Sequence, residues 1–224
     1  VVKNPPEPHA APGRRADARA ADRAGGHIRN TTMPPPVKLI LDTDMGGGGC
    51  KDVDDVGTLC MLNAMADRGE VELLAVVINT DAPYGAGVAS VLNHYYNRDN
   101  VTIGAVKGCE DCGRYHGYTS HLANNWPSPI KSKDDVPGSV DVYRRVLAAQ
   151  PDGSVAIASV GLLANLEQLL HSGPDAHSQL HGAELVARKV RVIGIMAGNY
   201  PSGWECNMGT DVWAARYVTT HLPP

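Results

Sequence analysis

No stretch of this 224-residue chain approaches the ~20 consecutive apolar residues that a membrane-spanning helix needs, so no membrane partner is expected. An excess of positive charge is missing too. The formal net charge is -4, which gives no support to nucleic-acid binding or to an anionic membrane surface. Cysteine is sparse, and its count of five is odd. Cys109 and Cys112 form a lone C-x-x-C without a second ligand pair at matching spacing, which argues against a structural zinc site. Free thiols in a reducing, cytoplasmic compartment are the expectation. Phenylalanine is absent altogether, and no function follows from that. What remains suffices for one core and one domain.

Residues 1–36 are rich in Pro, Ala, Arg and Gly and carry no sustained apolar period, so they read as a disordered tail. Glu7, Asp17 and Asp22 are unwelcome in a transit peptide, and no apolar segment suits a secretory signal. From Val37 the pattern changes. Apolar runs at Val37–Leu41, Val71–Ile78, Val101–Val106, Val155–Val160 and Val190–Ile195 predict strands. Helices are predicted at Val56–Gly69, around Val88–Tyr95, at Ser139–Gln150, from Leu166 to Gly173, at Glu184–Lys189 and at Asp211–Thr220. Strand and helix alternate, which implies an α/β domain over 37–224 with an open, mainly parallel, Rossmann-like sheet. Residues 107–137 break the pattern and read as a long loop. Its His116, Tyr118, His121 and Trp126 are groups able to stack on a base or donate to it, or to pack the loop itself.

Chemistry concentrates at the end of the first strand. Asp42 and Asp44 precede a glycine run, and Asp52, Asp54 and Asp55 follow it. Carboxylates so crowded raise one another's pKa unless a cation sits among them. A hard divalent ion is the simplest resolution, and the carboxyl end of a strand is where open α/β sheets place their ligands.

Leu41-Asp42-Thr43-Asp44-Met45-Gly46-Gly47 with Asp52-Val53-Asp54-Asp55 behind it resembles the amino-terminal signature of the inosine-uridine-preferring nucleoside hydrolases. That resemblance implies Ca²⁺ as cofactor and a small nucleoside as substrate. Asp44 would be both a calcium ligand and the base that activates water, Asp55 a second ligand, and Asp54 a holder of the ribose hydroxyls. Gly161-Leu162-Leu163-Ala164-Asn165-Leu166 resembles the turn in which a main-chain carbonyl, here that of Ala164, binds calcium. Asn199, Glu205 and Asn207 match the order of the ribose-gripping Asn and Glu-x-Asn, and Asn79 resembles a further ribose contact. The chain departs from the family in two ways. Gly48–Lys51 looks like an insertion, and the C-terminal portion, with one more Asp ligand and a His acid, has no counterpart, so the fold is expected to be C-terminally truncated.

The reaction implied is hydrolysis of the N-glycosidic bond, as in nucleoside salvage, impaired by the insertion and the truncation. A calcium- and ribose-binding pseudoenzyme is one alternative. A haloacid-dehalogenase-like, Mg²⁺-dependent phosphatase, with Asp42 as nucleophile, is the other, although Asp54-Asp55 does not fit its pattern. Homo-oligomer formation is compatible with any of these readings.

Overall fold

The computed structural model describes residues 34–46, 53–109, 112 and 117–223. Residues 1–33 of the 1–36 tail, the insertion Gly48–Lys51, Asp52 of the acid cluster and His116 lie outside the described residues. Five apolar runs form the strands β1 (Val37–Thr43), β2 (Val71–Ile78), β3 (Thr102–Ala105), β4 (Val155–Ser159) and β5 (Val190–Ile195). They build a single sheet in the order β3-β2-β1-β4-β5. Every pairing is parallel.

Both faces of a parallel sheet must be covered, and alternation along each strand divides the side chains between two layers. Leu41, Val76, Ile78 and Ile103 face one layer, formed by α1 (Asp54–Asp67) and α2 (Gly85–Tyr95). Ile40, Ala75, Val77 and Ile157 face the other. That second layer holds α4 (Ser139–Ala148), α5 (Ala164–His171), α6 (Gly182–Lys189) and α8 (Val212–His221). Leu166, Leu169, Leu185 and Val218 are its buried centre. The helices α3 (Thr119–Asn125) and α7 (Cys206–Gly209) complete the set.

One buried charge ties the second layer together. Arg144 of α4 is only 2% exposed and grips Asp175 with two hydrogen bonds of 2.7 and 3.1 Å. It also donates to Ser172 Oγ and to the carbonyls of Ser178 and Leu180. The long connection from α5 to α6 is thereby pinned to α4.

Three expectations are corrected. Residues 107–137 are not one loop, because they contain α3 and a 3₁₀ turn, Lys133–Asp135. Few apolar groups announce α3, whose buried residues are Thr119 and Ala123. The thiols are not all free, since Cys109 and Cys112 form a disulfide and Cys206 is disulfide-bonded as well. Their pairing needs close approach in space, which cysteine counting does not report. Tyr95 also leaves the apolar stripe assigned to α2 and is exposed. His94 is solvated as expected, and it pairs with Asp99 at 2.9 Å. Among the described residues no helix is long and apolar enough to cross a membrane.

Candidate functional site

The chain runs from β1 to β2 to β3 on one side of the sheet and then crosses to β4 and β5 on the other. The carboxyl ends of β1 and β4 therefore flank the switch point, where such sheets open a crevice. The acids of the β1 end stand there. β1 continues through Asp42 and Thr43 before the chain turns, two residues beyond its apolar run.

Asp42 lies inside the fold. It is fully buried and accepts hydrogen bonds from Asn79 Nδ2 at 2.8 Å, Asn165 Nδ2 at 3.0 Å and Tyr143 Oη at 2.6 Å. Burial pushes its carboxyl up to about 7, against the pull of those three donors. Asn79 is spent on the same frame, because its Oδ1 accepts from the Leu162 N–H at 3.2 Å. A ribose contact by Asn79 would have to use its remaining amide hydrogen.

Asp44 and Asp55 make a second buried group. Each is 4% exposed. The Asp55 carboxylate accepts from Thr43 Oγ1 and, at 3.3 Å, from the Asp44 N–H. Asp44 Oδ2 is buried with no hydrogen-bond partner. Burial first, and then the Asp55 charge, pushes Asp44 up to about 9. Burial also raises Asp55, in spite of the bond from Thr43. Two buried acids side by side, one with an orphaned oxygen, are a donor set that fits a hard divalent cation. Asp54 is exposed in the first turn of α1 and accepts from the Asp55 N–H at 3.1 Å. Both acids of that turn suit the positive end of the helix dipole.

Glycine lets the neighbouring segments close in. A Cβ on Gly161 would lie 2.6 Å from Asp44 N and 2.8 Å from Asn79 Nδ2. The turn leading to Ala164, the first residue of α5, is thus seated directly on Asp44. Gly46 has φ +72° and would drive a Cβ into the Thr119 side chain, so α3 packs against the loop that leaves β1. Thr119 thereby touches the loop two residues beyond Asp44, while His121 and Trp126 farther along the segment are exposed.

The residues after β5 are brought to the same end of the sheet but are otherwise engaged. Asn207 is buried and donates to the carbonyls of Val160 and Met196 at 3.3 and 3.0 Å. Its Oδ1 has no partner. Glu205 caps α7, accepting from the N–H groups of Gly198, Asn207 and Met208. Burial raises its pKa, and those backbone donors outweigh burial and bring it down. Asn199 is exposed, with its amide against Gly203. Sequence reasoning did not single out Thr43, Tyr143 or Asn165, which hold the two innermost acids. Asn165 lay within the quoted turn, and a buried Asn beside a strand end was the available signal.

No protein-family profile and no curated protein sequence matches the chain. Solved structures do match in fold. The effector protein XOO4466 has a TM-score of 0.60 at 21% identity, over 83% of this chain and 52% of its own. The type III effector XopQ, solved with adenosine diphosphate ribose, has a TM-score of 0.58 at 20% identity, over 83% and 53%. A purine-preferring ribonucleoside hydrolase from Gardnerella vaginalis has a TM-score of 0.54 at 20% identity, over 81% and 57%. This chain has a nucleoside-hydrolase-like α/β fold and spans little more than half the length of these structures.

Proposed function

We propose that the acids at the end of β1 are the metal- and sugar-holding part of a ribonucleoside N-glycosidase site, with Ca²⁺ as its cofactor. The observation that carries this reading is the buried Asp44–Asp55 pair at the switch point, with the Asp44 Oδ2 unpartnered. Asp44, Asp55 and the Ala164 carbonyl would hold the ion. A bound divalent cation supplies the positive charge that makes both carboxyls ionise at neutral pH. Asp44, once ionised, accepts the proton of an attacking water. Asp54 is exposed beside it and serves the ribose hydroxyls, whose orientation matters for a transition state of oxocarbenium character. Asn79, Asn199, Glu205 and Asn207 are assigned to the remaining sugar contacts. The phosphatase alternative has no support, because Asp42 is walled in by three donors and offers no nucleophile to solvent.

Glu205 must give up backbone bonds before it can reach a sugar. The Nδ2 of Asn207 is already spent on two carbonyls, which leaves only its Oδ1 to offer. Turnover by this chain is therefore expected to fall below the usual range of about 1–10³ s⁻¹. The test is to assay inosine and uridine for release of reducing sugar, and adenosine diphosphate ribose for release of adenine, with and without calcium, beside direct binding of the same compounds. Calcium-dependent release that vanishes in Asp44→Asn supports the hydrolase. Binding without release overturns the hydrolase and assigns the site to a pseudoenzyme, and the absence of both release and binding overturns the reading altogether.

A further inference from the structure

Cys109 and Cys112 have no part in the proposed sugar chemistry, and their spacing alone supplied only two ligands. The fold brings a third. Cys109, Cys112 and Asp211 each place a ligand atom within 4.8 Å of the others. Asp211 stands at the start of α8, far along the chain, and its Oδ1 accepts from the Ala214 N–H at 3.0 Å. That bond fixes the carboxylate and leaves Oδ2 for another partner, as supporting bonds do around metal ligands. Cys112 is fully buried and packs with Val106, Leu162 and Ala164. Its carbonyl accepts from the Asp81 N–H at 3.2 Å. Thiolates in such apolar surroundings are costly unless a cation compensates them. Two sulfurs and one carboxylate suit a thiophilic ion with a tetrahedral habit, whose fourth position goes to water. They do not suit the hard cation expected at the β1 acids.

We propose that Cys109, Cys112 and Asp211 form a second metal site, which takes Zn²⁺ once the disulfide is reduced. A dithiol reductant gives two electrons and two protons to the S–S bond and becomes a disulfide itself. The two protein thiols then lose those protons as two metal–sulfur bonds form. In the oxidised chain both sulfurs are committed to each other and the site is closed. In the reduced chain the ion ties the segment after β3 to the start of α8.

The experiment uses Co²⁺ as the spectroscopic stand-in for Zn²⁺. The whole chain is reduced with a dithiol, freed of it without oxygen, and titrated with Co²⁺. A thiolate-to-cobalt charge-transfer band should saturate at one ion per chain and be displaced by Zn²⁺, and the unreduced chain should give none. Asp211→Asn keeps the helix cap, since Asn caps as well as Asp. It should weaken binding by at least the roughly 10–100-fold that loss of an outer partner costs. Cys109→Ser, at the less buried of the two positions, should abolish the band. No band in the reduced chain, a band that survives Cys109→Ser, or unchanged affinity in Asp211→Asn would each overturn the site.

Discussion

At the scale of single residues, the buried acids Asp42, Asp44 and Asp55 behave differently from surface carboxylates. The pKa values of Asp42, at about 7, and Asp44, at about 9, are raised in the fold. In an unfolded chain they would return to near ~4. Between those limits the folded chain holds protons that the unfolded chain has released. Their contribution to stability is thus fully present below about pH 4 and is lost as pH rises through about 7 and then about 9. In a chelator, Tm should fall steadily from mildly acidic pH to pH 9. Millimolar calcium should flatten the part owed to Asp44 and Asp55, because ligand binding adds RT ln(1 + [L]/Kd), about 2.7 kcal/mol at a hundredfold excess over Kd. Calorimetry at a series of pH values checks this, and a Tm indifferent to calcium at pH 8 would count against the metal site. Gly161→Ala tests the same geometry without touching an acid. Overpacking costs about 1–3 kcal/mol, so a Tm lower by several degrees should accompany weakened calcium binding.

At the scale of elements, the Arg144 anchor makes a sharp prediction. Asp175 is one-third exposed and can be solvated when its partner goes. Arg144→Leu also removes a donor from the Ser178 and Leu180 carbonyls, at about 1–3 kcal/mol for a buried group left unsatisfied, so Tm should fall by several degrees. The Arg144 guanidinium holds the Asp175 carboxyl down at about 2. The stability from that pair is present above about pH 4 and is lost as pH falls through about 2. The difference between wild type and Arg144→Leu should therefore shrink in acid, as circular dichroism melts would show. The positions of β2, β5, α4 and α8 were legible in the sequence, because long apolar runs and helical periods survive without tertiary information. α7 and α3 were not legible. Each buries too few apolar groups to leave a period, and each is held by what it caps or packs upon. The acids of the site were legible as a cluster. Their division of labour was not, because Asp42 takes its donors from 37, 101 and 123 residues away. Glu205 likewise matched a motif in sequence while its oxygens serve backbone N–H groups in the fold.

At the scale of the whole molecule, the two sides of the sheet end differently. β3 is the short edge strand, of four residues, and the chain after it returns to place Gly138 beside Ala105. β5 pairs with β4 alone among the described residues, and Val192 on it is 51% exposed. A hollow of about 230 Å³ opens beside it, lined by Val186, Val190, Val192, Ile193 and Leu222. An edge of this kind carries unpaired N–H and C=O groups and invites another extended segment. Mass from light scattering should rise with protein concentration, and Val192→Lys should reduce that rise. A constant monomer mass across the micromolar range would remove the edge from consideration. The consequence reaches beyond solubility. If copies meet along β5, dilution becomes a denaturant for them, and the Tm of this chain is a property of the solution as much as of the fold.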